Sequence, residues 1–320
     1  MKTNTVALCI PAYNAAAYLP RLLQSAKAQL IPFDEIWVYN DCSTDETAKV
    51  AAQYGANVIN GTVNKGCSVG KNTLAEVTSC EWIHFHDADD ELLPNFTTLA
   101  HRWISRPTCP DVVLFNYEYR DNHNKELLSV RHFDKAYLET DSIGYSIKEQ
   151  INPFCGLYRK DAFLAAGGYD VDPEILYNED CAMHIKIAIA GLSFSAESEL
   201  SIINYRIKNS MSGANAVKCL VAQLNVAKKT INELKKKNQL INYEGLIAEK
   251  LWALAGIFGA YNKWEYSEEC FFLTKQLNSR YPSASNGLFK FMCSISAELA
   301  FKIREQVIRT LKPKLREFLN

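Results

Sequence analysis

The chain has 320 residues, of which 48% are hydrophobic, and its 35 Lys and Arg against 36 Asp and Glu give a net charge of −1. This composition is typical of a soluble globular protein with one large or two smaller domains, and it excludes a globally basic nucleic-acid-binding protein. Ten cysteines are scattered without a Cys-x-x-Cys pair, which argues against a metal ribbon or a disulfide framework and favours a reducing cytosol.

Short β-rich runs alternate with helical patterns along the first half of the chain. The predicted strands cover residues 5–10, 35–39, 58–59, 82–86 and 111–119, and the predicted helices cover residues 15–29, 43–54 and 68–78. Ser43 and Glu46 have the spacing of a capping box at the start of the second helix. The alternation predicts an α/β fold with a Rossmann-like, mostly parallel sheet flanked by helices.

The pattern changes near residue 214 to long helical stretches without strand signals, at residues 216–240, 243–263, 266–279 and 288–311. We therefore predict an α/β domain over residues 1–213 and an all-helical region over residues 214–320. Residues 301–320 are amphipathic, with six Lys and Arg against two Glu, and Pro313 should break their helix. Such a segment packs on its own domain, forms a dimer or lies on an anionic membrane surface. The apolar stretches are too short to cross a bilayer.

Polar, turn-forming segments follow three of the predicted strands, at residues 11–14, 40–43 and 87–90. Ligands of α/β sheets bind outside the carboxyl ends of the strands, so we expect these segments to line one crevice. Asp87, Asp89 and Asp90 repel one another unless a cation neutralises them, and an Asp-x-Asp pair suits a hard divalent ion that bridges to a diphosphate. The alternative is a group of carboxylates that caps the next helix.

Several motifs in this part of the chain form an ordered set that is more specific than any one of them. In chain order they are Ile10-Pro-Ala-Tyr-Asn14, Glu35-Ile-Trp-Val-Tyr-Asn-Asp-Cys-Ser-Thr-Asp45, Asn64-Lys-Gly66, Lys71-Asn72, Asp87-Ala-Asp-Asp90, Gly167-Gly168-Tyr169, Asn178-Glu-Asp180 and Tyr205-Arg206. Over about residues 5–212 the chain resembles the family 2 inverting glycosyltransferases, which have the GT-A fold. The helical tail lies outside this resemblance.

The resemblance implies a nucleotide-sugar site that uses Mn²⁺ or Mg²⁺ and a UDP-sugar donor. It places Asp89 on the metal ion, Asp87 on the sugar or ribose, and Asp41 on the uracil ring. The other implied donor-binding residues are Pro11, Tyr13, Asn14, Gly66, Lys71, Arg206 and Lys208. Simpler alternatives remain, namely a turn residue for Asp41 and a solvated basic side chain for Lys71, Arg206 and Lys208.

The resemblance also assigns the transfer step. Inversion at the sugar needs a carboxylate that takes the proton of the attacking hydroxyl on the face opposite the leaving nucleotide. Asp180 matches the position of this general base, and Glu179 matches a residue that orients an acceptor hydroxyl. Both also fit an ordinary acidic first turn of a helix.

The chain departs from the family pattern at three positions. Asn40 and Cys42 stand where the family usually has Asp and Gly, and cysteine is less comfortable than glycine in a left-handed backbone. Lys71 stands where the family usually has Arg, which keeps the charge but loses bidentate geometry. These departures bear on uridine recognition and on phosphate binding.

The sequence thus predicts a cytoplasmic, metal-dependent inverting glycosyltransferase, either a hexosyl- or an N-acetylhexosaminyltransferase. The resemblance implies an acceptor that is a saccharide or lipid-linked saccharide of bacterial surface polysaccharide or lipooligosaccharide synthesis. No nucleic-acid partner is expected, while peripheral contact with the inner face of the membrane and a homo-oligomer both stay open. Two rivals remain, a sugar-nucleotide nucleotidyltransferase and a non-catalytic carbohydrate-binding subunit on a transferase fold.

Overall fold

The computed structural model describes residues 4–206 and 215–319. Within these ranges the chain forms two compact units, one of residues 4–171 and 179–206 and the other of residues 172–178 and 215–319. Within these ranges no helix is both long enough and apolar enough to cross a bilayer.

The described strands of the first unit form one nine-stranded mixed sheet. They are β1 (Val6–Ala12), β2 (Glu35–Asn40), β3 (Asn57–Asn60), β4 (Trp82–Phe85), β5 (Glu91–Leu92), β6 (Val112–Asp121), β7 (Leu127–Arg131), β8 (Gly156–Arg159) and β9 (Phe194–Arg206). The order across the sheet is β3-β2-β1-β4-β8-β6-β9-β5, and β7 pairs with β6. Strands β1 to β4 run parallel, whereas β8 runs antiparallel to both β4 and β6.

Among the described residues, eight α-helices flank this sheet in the first unit, and five further α-helices belong to the second unit. Those of the first unit are α1 (Leu19–Lys27), α2 (Thr47–Gln53), α3 (Cys67–Val77), α4 (Phe96–Ile104), α5 (Lys135–Thr140), α6 (Ser142–Lys148), α7 (Lys160–Ala165) and α8 (Glu179–Ile189). Those of the second unit are α9 (Ala216–Lys236), α10 (Glu244–Ala260), α11 (Trp264–Gln276), α12 (Gly287–Ile295) and α13 (Ala297–Leu311). The predicted α/β class with a helical C-terminal region is confirmed.

The sheet positions the site because three strand ends meet at one edge. Strand β1 lies between β2 and β4, and six of its seven residues are buried, which explains its apolar sequence without alternation. Ala12 at its end is in register with Asn40, and the His86 amide donates to the Cys9 carbonyl at 3.0 Å. The expected convergence of residues 11–14, 40–43 and 87–90 therefore follows from strand register.

Two local predictions are wrong. The capping box does not form, because α2 begins only at Thr47 and Ser43 Oγ instead accepts from the Asn14 amide at 3.0 Å. The predicted helix over residues 288–311 is two helices, since Ser296 has extended backbone angles (φ −153°, ψ 110°) and caps α13 through its hydroxyl. Strands β5, β7, β8 and β9 were not predicted, and each of the four has an antiparallel neighbour: β5 pairs with β9, β7 with β6, and β8 with β4.

Glu197 ties α4 to β9 and gives the first unit a pH-dependent stability. Its buried carboxylate accepts hydrogen bonds from Arg102 Nη2 at 2.7 Å and from Trp103 Nε1 at 2.8 Å. Burial raises the pKa of Glu197, but hydrogen bonds from Arg102, the Glu199 amide and Trp103 outweigh it and lower the pKa to about 2. Since the folded-state pKa lies below the ordinary value, this stabilisation is present at neutral pH and is lost as the pH falls toward 2.

We predict that Glu197→Gln lowers the free energy of unfolding at pH 7 by about 2 kcal/mol. The difference from the wild type should shrink between about pH 4.5 and pH 2, as measured by urea denaturation at several pH values. Glu199→Gln is the matched control, because Glu199 shares Arg102 but is half exposed, and its effect should stay below about 0.5 kcal/mol. Equal effects of the two variants would contradict the assignment.

Candidate active site

A buried lysine organises the acidic groups at the carboxyl edge of the sheet. Lys71 of α3 is 1% exposed, and its Nζ lies 3.1 Å from Asp180 Oδ1. Burial lowers the pKa of Lys71, but Asp180, Cys67, Asp87 and Glu179 together raise it above its ordinary value. Lys71 is therefore a permanent cation among these groups, and the alternative of a solvated helix residue is wrong.

The first turns of two helices bring these groups together. Helix α3 approaches β2 closely at Gly70, where a Cβ would come within 2.8 Å of the Tyr39 ring. Helix α8 begins at Glu179, so its two acidic residues lie where the helix dipole favours negative charge. The close approach at Gly70 and the acidic first turn of α8 thus allow Lys71 to contact Asp180.

Asn72 explains why the Lys71-Asn72 and Gly167-Gly168-Tyr169 motifs occur together. Its side-chain Nδ2 donates to the Tyr169 carbonyl at 2.9 Å, and its Oδ1 accepts from the Tyr169 amide at 2.8 Å. Gly168 has φ +54°, and a Cβ there would come within 2.6 Å of Asn72 Oδ1. The Tyr169 ring is thereby held 4.8 Å from Lys71 Nζ, where it favours the cation.

The three aspartates after β4 have different surroundings. Asp90 is fully buried and accepts from Asn204 Nδ2 at 2.7 Å and from the Tyr205 amide at 2.9 Å, so it anchors β9 and does not cap a helix. Asp87 and Asp89 are half-buried. Burial raises the pKa of Asp87 to about 7, with Lys71 opposing this and Asp180 adding to it, and burial also raises the pKa of Asp89.

The ends of β1 and β2 form a hydrogen-bonded turn region. Asp41 accepts from the Lys65 amide at 2.9 Å and from the Gly66 amide at 2.8 Å, as expected for a turn residue. Asn14 Oδ1 accepts from the Thr44 amide at 2.9 Å. Cys42 has φ +59°, which is the left-handed backbone that its family counterpart, glycine, adopts more easily.

The structure brings together some of the predicted site residues and separates others. Asp87, Glu179 and Asp180 surround Lys71, while Pro11, Tyr13, Asn14, Asp41 and Gly66 lie at the ends of β1 and β2 or beside them. Arg206 is exposed at the end of β9. Lys208 lies outside the described residues. Across residues 4–206 and 215–319, no three or more His, Cys, Asp or Glu side chains gather closely enough to hold a metal ion by themselves.

Cys67 is a site residue that the sequence analysis missed. Its thiol donates to Glu179 Oε1 at 2.9 Å, and the other oxygen of this buried carboxylate, Oε2, has no hydrogen-bond partner. Cys67 precedes Lys71 by four residues in α3, so both lie on the same helix face. The four-residue spacing of Cys67 and Lys71 is the signal in the sequence that could have identified Cys67.

Arg21 is a second missed residue. Its Nη2 donates to the Asp89 carbonyl, its Nη1 donates to Asn122 Oδ1 at 2.9 Å, and its guanidinium lies 3.8 Å from the centre of the Tyr205 ring. These contacts join α1, the acidic segment after β4 and the loop after β6. No local pattern signals them, because the partners are far apart in sequence.

We predict that Lys71→Met lowers the free energy of unfolding by about 3 kcal/mol, because removing one partner of a buried ion pair leaves the other charge uncompensated. Urea denaturation at pH 7 measures it. Lys49→Met is the matched control, since Lys49 forms an exposed pair with Glu46 at 2.7 Å that should contribute less than about 0.5 kcal/mol. The assignment is wrong if both variants unfold at the same denaturant concentration.

Comparisons with known proteins identify the first unit. Residues 7–164 match the model of glycosyl transferase family 2. The chain is 34% identical over 96 residues to the uncharacterized glycosyltransferase YibD of Escherichia coli, covering 29% of this chain and 28% of YibD. It is 31% identical over 91 residues to the putative teichuronic acid biosynthesis glycosyltransferase TuaG of Bacillus subtilis, covering 27% of this chain and 36% of TuaG. The matched stretches thus span less than half of these relatives.

Solved structures share the fold. A fragment of S. aureus TarS in complex with UDP-GlcNAc has a TM-score of 0.71 at 17% identity, over 96% of this chain and 92% of that one. The mannosyltransferase PcManGT from Pyrobaculum calidifontis, in complex with GDP-Man and Mn²⁺, has a TM-score of 0.54 at 14% identity, over 98% and 90% of the two chains. The likeness confirms the predicted GT-A fold. Residues 7–164 of this chain therefore form a domain of glycosyl transferase family 2.

Proposed function

We propose that this protein is a metal-dependent inverting glycosyltransferase that moves a sugar from a UDP-sugar to a saccharide or lipid-linked saccharide in the synthesis of a bacterial surface polysaccharide or lipooligosaccharide. The observation that carries the proposal is the pairing of Asp180 with buried Lys71, beside Asp87, at the carboxyl edge of the sheet. An ordinary acidic helix turn needs no buried cation. Pairing with buried Lys71 holds the Asp180 carboxylate in one position, and a general base must be positioned within reach of the proton that it takes.

Asp180 is the general base of the proposed reaction. The ion pair uses Oδ1, and the side chain is 23% exposed, so an acceptor hydroxyl can reach Oδ2. Asp180 takes the hydroxyl proton while the hydroxyl oxygen bonds to the anomeric carbon. The bond from that carbon to the diphosphate breaks on the opposite face, and the electron pair leaves with UDP, which inverts the anomeric configuration.

Glu179 positions the acceptor. Its side chain is 6% exposed, Cys67 engages Oε1, and Oε2 has no partner. A buried carboxylate oxygen without a donor is unfavourable, and a second hydroxyl of the acceptor sugar can donate to it. The neighbouring carboxylates of Glu179 and Asp180 therefore suit an acceptor that presents two hydroxyl groups.

The acidic groups fit a divalent cation that binds together with the donor. Asp87, Asp89, Glu179 and Asp180 outnumber the buried cation Lys71, and carboxylate oxygens are the ligands that Mg²⁺ and Mn²⁺ prefer. Mg²⁺ is usually bound through one or two carboxylates together with substrate phosphate oxygens, so a small number of protein ligands would suffice here. Asp89 would hold the ion, which would supply electrostatic stabilisation for the charge of a leaving diphosphate.

The donor nucleotide is assigned to the ends of β1 and β2. Tyr13 is 52% exposed there and can stack on a nucleobase, with Pro11 and Asn14 beside it and Asp41 facing the uracil. Gly66, Asp87 and Lys71 are assigned to the sugar and diphosphate, and Arg206 and Lys208 to the phosphates. The TarS complex with UDP-GlcNAc supports a uridine nucleotide, and the PcManGT complex with Mn²⁺ supports the ion.

One sequence feature disfavours the nucleotidyltransferase rival. That activity needs a glycine-rich, basic loop after the first strand, whereas β1 runs into Pro11-Ala-Tyr-Asn14. A non-catalytic subunit has no need for a paired base beside an Asp-x-Asp segment. Release of UDP rather than pyrophosphate from the donor separates the enzymatic candidates, and metal-dependent UDP binding without turnover favours the subunit.

We predict that Asp180→Asn leaves UDP affinity within about twofold and lowers the rate of transfer by about 10³-fold, because the amide cannot accept the proton. UDP titration calorimetry and UDP release from the UDP-sugar that gives the largest thermal shift measure the two effects. Asp161→Asn, an exposed carboxylate in the first turn of α7, is the control and should retain activity. An active Asp180→Asn enzyme removes the base assignment.

We also predict that the thermal shift caused by UDP requires Mn²⁺ or Mg²⁺ and disappears in EDTA. Asp89→Asn should weaken this metal-dependent shift by about tenfold in UDP affinity, because it removes one charged oxygen ligand. Glu81→Gln, an exposed carboxylate just before β4, should leave it unchanged. Indifference of UDP binding to EDTA would contradict the metal assignment.

A further inference from the structure

Helices α12 and α13 of the second unit present large apolar side chains to solvent. Together with Leu315 just after α13, these residues are exposed by 42 to 74% of their surface and recur every three or four positions: Leu288, Phe291, Ile295, Leu299, Ile303, Val307, Leu311 and Leu315. Soluble proteins expose apolar residues singly, and a concentration of them in one segment marks an interaction surface. We call these eight side chains the apolar face.

The apolar face is distinct from the side on which the two helices pack. Cys293, Ala300 and Phe301 are buried, and the Phe301 ring lies 5.2 Å from Phe289 and 5.7 Å from Trp252. Residues four apart lie on one helix face, so α13 has one apolar side that is buried in its own unit and a second one that is exposed. Packing within the second unit accounts for the first side, while the second side remains exposed among the residues that the structure describes.

The same stretch is strongly basic. Residues 287–316 contain seven Lys and Arg against two Glu, a net charge of +5 in a chain whose net charge is −1. Several cations have partners within the unit, since Arg309 donates to the Ala260 carbonyl at 2.7 Å and Arg316 pairs with Glu305 at 2.7 Å. Lys312 and Lys314 are exposed directly after Leu311, where their stems can follow an apolar surface while their ammonium groups reach outward.

An apolar face of this kind can be covered by a second copy of the chain or by a lipid surface, and the charge of the segment favours the lipid surface. A symmetric contact with a second copy would place the same patch against itself, and its excess positive charge would repel. An anionic lipid surface offers both an apolar interior and negative headgroups. The described helices are also too short or too polar to span a bilayer, which fits a segment that lies in the membrane interface.

We propose that α12, α13 and the residues up to Leu315 bind an anionic bilayer surface, with the apolar face among the acyl chains and Lys312 and Lys314 at the headgroup phosphates. This inference goes beyond the proposed function, because it concerns where the protein resides and depends on no site residue. Its test needs neither donor nor acceptor.

The test is co-sedimentation of the full chain with vesicles of equal parts phosphatidylglycerol and phosphatidylcholine, and with vesicles of phosphatidylcholine alone. We expect at least about tenfold more protein bound to the anionic vesicles, decreasing as salt is added. Leu299→Ser combined with Ile303→Ser should lower binding by about fivefold or more. Lys312→Glu combined with Lys314→Glu should lower anionic binding by about tenfold.

Matched controls separate this proposal from loss of structure and from loss of function. Ile241→Ser changes a side chain of the same unit that is 73% exposed but lies outside the apolar face, and it should bind vesicles normally. Asp180→Asn should also bind normally, whatever its activity. Equal binding of the Leu299/Ile303 variant and the wild type overturns the proposal, as does a wild type that ignores vesicles and forms dimers through this face in sedimentation equilibrium.

Discussion

The active-site region depends on one buried ammonium group. Lys71 is almost completely removed from water and lies next to Asp180, with Asp87, Glu179 and Cys67 near it. A buried cation without a counter-charge costs several kcal/mol, and so do several buried carboxylates without a cation. Each side of the pair is therefore stable only because the other is present. This mutual requirement fixes α3, the end of β4 and the start of α8 in one arrangement.

The surrounding hydrogen bonds maintain that arrangement. Asn72 holds the Tyr169 backbone through both of its side-chain groups, and Asp90 holds the backbone of β9 at Tyr205. Both residues belong to motifs on which the resemblance to family 2 glycosyltransferases rests, but their contacts hold backbone segments in place. The motifs thus combine residues for chemistry with residues that only position them, and a motif by itself does not distinguish the two kinds.

The second unit shows a similar division of roles among charged residues. Residues 301–320 resemble one basic amphipathic segment in sequence, yet Arg304 stacks on Phe301 at 4.2 Å, and Arg309 and Arg316 bond within the unit. Lys312, Lys314 and the apolar face are exposed and are therefore available to contact another surface. Cations that neutralise local carbonyls and carboxylates stabilise the fold, and only the others are available to attract an anionic partner.

The sequence by itself determined the α/β class, strands β1 to β4 and β6, and the carboxylates at the strand ends, because local periodicity and turn chemistry are set by neighbouring residues. It also indicated that Glu179 and Asp180 lie in the first turn of a helix. Only the tertiary structure decided that Lys71 is buried against Asp180 rather than solvated, that Cys67 engages Glu179, that Asp90 anchors β9, and that β8 enters the sheet antiparallel. Those outcomes join residues about 70 to 115 positions apart, and no local pattern encodes which distant partner neutralises a buried charge.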